Sequence, residues 1–124
     1  AVLRADVDAI RIGNRVNIQD CACLHQTGGS PVVLHDDVSI GHGAVVHACI
    51  VEEEALIGMN AVVLDDAVVG KGAVVAAGAV VLAGTKIPPY EIWAGIPARK
   101  VKDADKGQSL DFARHYMDIK EWYK

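Results

Sequence analysis

The sequence predicts an all-β solenoid, a parallel β-helix wound from six-residue repeats, with an α-helix at its C-terminal end. Three observations carry this. From Val51 to Ile87 a branched aliphatic recurs at every sixth position: Val51, Ile57, Val63, Val69, Val75, Val81 and Ile87. Four residues after each of the first six comes a small residue, Ala55, Ala61, Ala67, Ala73, Ala79 and Thr85, until Glu91 breaks the series. Aromatic residues make up only 5% of the chain, as a narrow prism closed to large rings requires. Helices repeat their apolar positions every three or four residues and half-buried strands every two, so a period of six fits neither. It is the period of stacked hexapeptide coils. A valine-rich β-sandwich is the competing reading, and seven aliphatics in phase argue against it.

Each hexad supplies one short strand and one tight corner, and three hexads close a triangular coil of about 18 residues. Val and Ile suit extended backbone and point inward onto their equivalents one coil away. The small residue sits by the corner. Coils then stack at about 4.8 Å, the spacing of paired strands, and bury a continuous core only by stacking.

At 124 residues and 52% apolar the chain is one domain with material for a core. A net charge of −4 argues against nucleic acid or an anionic membrane surface as partner. No apolar run approaches the roughly 18 residues of a membrane-spanning helix, and no secretory leader is visible. Cys21, Cys23 and Cys49 have no zinc-finger spacing. They read as small wall or core residues in a reducing, cytoplasmic setting, with a thiolate metal site or redox pair as the alternative. Cys21 and Cys23 alternate along an extended run and are expected to face the same way.

In chain order, Ala1 to Leu3 begins as strand without a polar cap, which implies further coils upstream. Ile12, Ile18 and Leu24 open hexads. Phase is lost at Gln26 to Pro31, whose Thr-Gly-Gly-Ser-Pro is loop-forming. It returns at Leu34, Ile40 and Val46, then slips by one residue to reach Val51, a local kink or bulge in the wall. Prolines at 88, 89 and 97 bend the chain and close the prism at about residue 98. Residues 99–124 divide into a charged connector, Arg99 to Gln108, and a helix from Leu110 to Tyr123 with Ser109 as N-cap. Phe112, Tyr116, Ile119 and Tyr123 form one stripe of that helix, which is expected to cover the β-helix or a neighbouring subunit.

Histidine is costly inside an apolar prism, so His25, His35, His42, His47 and His115 are expected to point outward, as solvated residues or as metal ligands and proton carriers. His25 and His47 each follow the aliphatic that opens a hexad. They lie 22 residues apart, one coil plus the insertion and the slip, and so are candidate neighbours on one face. His42 has a different offset. The five residues from it to His47 span roughly 16 Å when extended, too far to share an ion within one chain unless the chain turns sharply. A second subunit is the other source of a third imidazole.

Arg4-Ala5-Asp6, Asn17-Ile18-Gln19-Asp20, Leu24-His25, Gly41-His42, Val46-His47 and Ile57-Gly58-Met59 resemble, in order, the motifs of γ-class carbonic anhydrases and their relatives. Trp93 to Ala98 and the terminal helix extend the resemblance over nearly the whole chain. The repeat and the Pro-Ala ending are shared with many acyltransferases. The ordered set Arg-x-Asp, Gln-Asp-x4-His and Gly-His-x4-His is more specific.

The resemblance implies a left-handed β-helix that assembles as a homotrimer with sites between subunits. It implies one Zn²⁺ held by His25 and His47 of one subunit and His42 of the next, with Co²⁺ or Fe²⁺ as other metals that histidine tolerates. Gln19 would stand beside the metal's water, Tyr116 would approach the site from the terminal helix, and Arg4, Asp6 and Asp20 would form an interface ion-pair network. A plain interface salt bridge and a direct role with bicarbonate both stay open for Arg4, as do helix anchor and site residue for Tyr116.

The implied activity is reversible hydration of carbon dioxide to bicarbonate by metal-bound hydroxide. One departure stands out. The archetypal member has an acidic insertion with a proton-shuttling glutamate between its first two histidines, whereas Gln26 to Val33 contains no carboxylate, which leaves proton transfer unassigned. Two alternatives remain: a hexapeptide acyltransferase using acyl-CoA, and a metal-bearing scaffold without turnover.

Overall fold

The structure is a computed structural model that describes residues 1–5, 9–26 and 28–105. Its described strands stack into three sheets, one per wall of a prism of about five coils. The first wall orders β1 (Val2–Arg4), β4 (Cys23–His25), β7 (Val45–His47), β10 (Val62–Val63) and β13 (Val80–Val81). The second orders β2 (Ile10–Ile12), β5 (Val32–Leu34), β8 (Ile50–Val51), β11 (Val68–Val69) and β14 (Lys86–Ile87). The third orders β3 (Asn17–Ile18), β6 (Ser39–Ile40), β9 (Leu56–Ile57), β12 (Val74–Val75), β15 (Glu91–Ala94) and β16 (Arg99–Asp103). All pairs are parallel except β15 with β16.

The period-six aliphatics are the core. Ile57, Val63, Val69, Val75 and Val81 are fully buried, and so are Ala55, Ala61, Ala67, Ala73 and Ala79 beside the corners. Each corner is a tight turn. The small residue's N–H reaches back three residues, as from Ala61 to the Gly58 carbonyl (3.2 Å) and from Ala73 to that of Gly70 (3.0 Å). The residue before it has positive φ, 58° at Asn60 and 65° at Gly72. A turn with φ > 0 at its third position is type II, which favours Gly and Asn there. One short residue plus one turn residue per corner therefore explains the six-residue repeat.

Intervals between coils are unequal where the sequence loses phase. Up the first wall, Leu3, Leu24, Val46, Val63 and Val81 follow one another after 21, 22, 17 and 18 residues. The loop at Gln26 to Pro31 alone accounts for the long step from His25 to His47. The slip belongs to the coil above, where Leu64–Ala67 (four residues) runs over His47–Cys49 (three).

Two expectations are corrected. Cys21 is not on an extended run: it holds a corner with φ 64° and is exposed, while Cys23 is half-buried in β4. Arg99–Asp103, expected as connector, turns back as β16 along β15. Lys100 Nζ holds that hairpin through Glu91 (3.2 Å) and Asp103 (3.0 Å). The expected helix from Leu110 to Tyr123, with His115 and Tyr116, lies outside the described residues, as does Asp6. No helix among the described residues is long and apolar enough to cross a membrane.

Candidate metal centre between two corners

Parallel pairing sets His25 of β4 directly beside His47 of β7. Their rings are tilted at 55° with centroids 5.1 Å apart, and His25 Nδ1 lies 3.1 Å from His47 Nε2. Both side chains are half-buried at the rim of the first wall. On its other side, His47 Nδ1 is hydrogen-bonded to Oδ1 of Asp65 from the coil above. An ionised carboxylate only accepts, so Nδ1 is the donor in this bond, and Nε2 is the nitrogen that faces His25. Arg4, in register below His25, extends the column.

His42 stands elsewhere. It is exposed in the Gly41–Ala44 turn that leads from the third wall into the first, so strand β7 separates it from His47. Gln19 shares this second corner, one coil below: its N–H donates to the Ile40 carbonyl, and Gly43 N–H to the Asp20 carbonyl. The Gln19 side chain is buried at 7% exposure. Its Nε2 donates to Asn17 Oδ1 (3.1 Å), and Asn17 Nδ2 donates to Ser39 Oγ (2.8 Å). Asp20 is exposed here, at a different corner from Arg4.

Beside Gln19 lies an apolar pocket of about 260 Å³, walled by Gly41, Leu56, Ile57, Gly58, Met59 and Ala77. Two of its glycines sit where one coil's backbone closely approaches the next. A Cβ on Gly41 would come within 2.8 Å of the Met59 backbone nitrogen, and one on Gly58 within 2.6 Å of that of Ala77.

Among the described residues of one chain, no three histidine, cysteine or carboxylate groups converge to hold a metal. The two histidines that do converge fit such a role. The 3.1 Å between His25 Nδ1 and His47 Nε2 is a hydrogen-bond separation, and it is also close to the about 3.3 Å that separates ligand nitrogens on one tetrahedral zinc. Sequence reasoning missed Asp65, whose signal is an 18-residue offset from His47, and Asn17, which ties Gln19 to the wall. The cysteines take no part: burial pushes the Cys49 thiol up to about 12, the nearby Asp65 charge adds to this, and a backbone hydrogen bond with His47 opposes it.

The family model "Bacterial transferase hexapeptide (six repeats)" matches residues 48–83. A protein of Methanocaldococcus jannaschii named "Probable carbonic anhydrase" is 59% identical over 83% of this chain and 65% of its own length. Gamma carbonic anhydrase 1, mitochondrial, of Arabidopsis thaliana is 46% identical over 95% of this chain, which spans 46% of the plant protein. Carbonic anhydrase of Geobacillus kaustophilus is 41% identical over 99% of this chain and 69% of its own. A solved hexapeptide transferase family protein from Anaplasma phagocytophilum superposes with TM-score 0.92 at 34% identity, covering 99% of this chain and 74% of that one. With these relatives and the ordered histidine motifs, the chain belongs to the γ-class carbonic anhydrase-like family of hexapeptide-repeat proteins.

Proposed function

We propose that the protein is a zinc-dependent, carbonic-anhydrase-like enzyme that reversibly hydrates carbon dioxide to bicarbonate at sites shared between subunits of a homotrimer. The observation that carries this reading is the split of histidines between two corners. His25 and His47 converge at one, and His42 with Gln19 occupies another, so a three-imidazole site needs two copies of the chain. Relatives named carbonic anhydrase support the activity.

His25, His47 and the second copy's His42 would hold the cation, all as neutral imidazoles that leave its charge uncompensated. Bound there, zinc would supply a Lewis acid that lowers the pKa of its water to about 7. The chain's own residues do the rest. The apolar pocket beside Gln19 suits a small uncharged molecule such as carbon dioxide. The Gln19 side chain, braced by Asn17, presents an amide for orienting water or product. Arg4, in register with His25, places a cation where an anionic product leaves. Asp20 and Arg4, at different corners of one chain, can meet only across subunits in an assembly of this kind.

The test is metal content with His42→Ala. About one zinc per subunit, lost in the variant while the fold persists, supports the site. Unchanged metal binding in His42→Ala overturns it. Stopped-flow hydration by the zinc-loaded protein then separates enzyme from scaffold. A similar solved protein from Bacillus cereus, described as a "putative acetyltransferase", favours acyl transfer as second reading, and a metal-free protein stabilised by coenzyme A would support it.

A further inference from the structure

We propose that Asp65 is the positioning residue of His47: its carboxylate fixes the ring's tautomer and aims Nε2 at His25. This rests on the metal-site reading above, although its geometry belongs to one chain. Three observations carry it. His47 Nδ1 is hydrogen-bonded to Asp65 Oδ1. His47 Nε2 stands 3.1 Å from His25 Nδ1. The third is the wall itself.

Above His47 the coils do not match residue for residue. Val63 pairs with Val46 and Val68 with Ile50, so four residues pass over three. The corner after His47 is short, with Ala48 already at φ 48°. Asp66 N–H donates to the Ala48 carbonyl (2.8 Å). In regular coils the equivalent bond goes to the residue before the turn's positive-φ position, as from Asn60 to His42 and from Gly78 to Met59. The coil carrying Asp65 is thus displaced along the corner, as at a bulge, and the displacement brings its carboxylate to His47. The slip in the hexad phase becomes a device for holding one imidazole.

A ring held by a carboxylate at one nitrogen offers the other as an oriented lone pair. Carboxylates behind metal-binding histidines act in this way, and their loss costs roughly 10–100-fold in affinity. Asp65 touches neither substrate nor cation, so its effect passes wholly through His47.

The experiment combines two readouts on the full chain. Long-range ¹H–¹⁵N spectra of the metal-free protein report the His47 tautomer, with Nδ1–H expected in the native chain and its loss in Asp65→Ala. Co²⁺ affinity, measured by chelator competition, is expected to fall about 10–100-fold in Asp65→Ala, with partial recovery in Asp65→Glu. If Asp65→Ala does not fold, Asp65→Asn keeps the shape and should show an intermediate loss. A native Nε2–H tautomer, or Co²⁺ affinity unchanged in a folded variant, overturns the proposal. His47→Ala is the reference. If it binds Co²⁺ like the native chain, the metal-site reading fails, while the tautomer still decides whether Asp65 orients the ring.

Discussion

His42 and His47 sit at opposite ends of one short stretch of wall, five residues apart in sequence yet at different corners of the prism. Strand β7 cannot bring them together, because its backbone is fixed in register against β4 and β10. Complementation follows. His25→Ala and His42→Ala chains should each lack a complete site when purified alone. Co-refolded, they should recover part of the metal and the activity, since some interfaces then pair an intact His25 and His47 with an intact His42. Metal analysis of the separated mixture checks this, and no recovery would mean the three histidines act within one subunit.

Beside Gln19, Gly41 and Gly58 let successive coils approach closely. Gly58→Ala would drive a Cβ into the backbone of the next coil, 2.6 Å from the Ala77 nitrogen. Overpacking of this kind costs about 1–3 kcal/mol. Gly78→Ala meets nothing within 4 Å, although its φ of 72° adds backbone strain, so the loss should be smaller. Urea unfolding of both variants reads the difference, and only Gly58→Ala should also impair hydration.

Cys49 links stability to alkaline pH. Its thiol, ordinarily at 9.0, is pushed up to about 12 chiefly by burial. Above pH 9 the unfolded chain therefore releases this proton while the folded chain keeps it. The contribution is present in full below pH 9 and is lost as pH rises towards about 12. Denaturation midpoints should fall across that window and fall less in Cys49→Ala. Thiol reagents at neutral pH should label exposed Cys21 first and Cys49 only on unfolding.

Proton export is the step with least provision. Gln26 to Val33 holds no carboxylate, and Asp65 is engaged with His47. Hydration at steady state should therefore rise with the concentration of a small buffer such as imidazole, then level off. Stopped-flow rates at fixed pH and ionic strength measure this, and a rate independent of buffer would point to an internal shuttle.

The repeat made the fold readable because one physical constraint, a narrow core with a tight corner, acts at every sixth residue. Val51 to Ile87 states it without interruption. The pairing of His25 with His47 was readable too, since equal offsets from an inward aliphatic become neighbours in parallel register. What escaped were consequences of irregularity. Cys21 looked like strand, but the corner rule places it at positive φ. Arg99–Asp103 looked like linker because an edge strand with charged, exposed side chains carries little apolar pattern. Asp65 was invisible because its contact arises from the mismatch of four residues over three, which no fixed period encodes.

The antiparallel hairpin of β15 and β16 has a consequence for growth. A column of parallel rungs is a template, and its open end could accept an identical rung from another molecule and extend into a filament. Here the third wall ends in a strand running the other way, bearing Arg99, Lys100 and Lys102. A molecule arriving end-on finds the wrong polarity on that wall, with Arg99 and Lys102 exposed along it, so the third wall is a poor template for a further parallel rung.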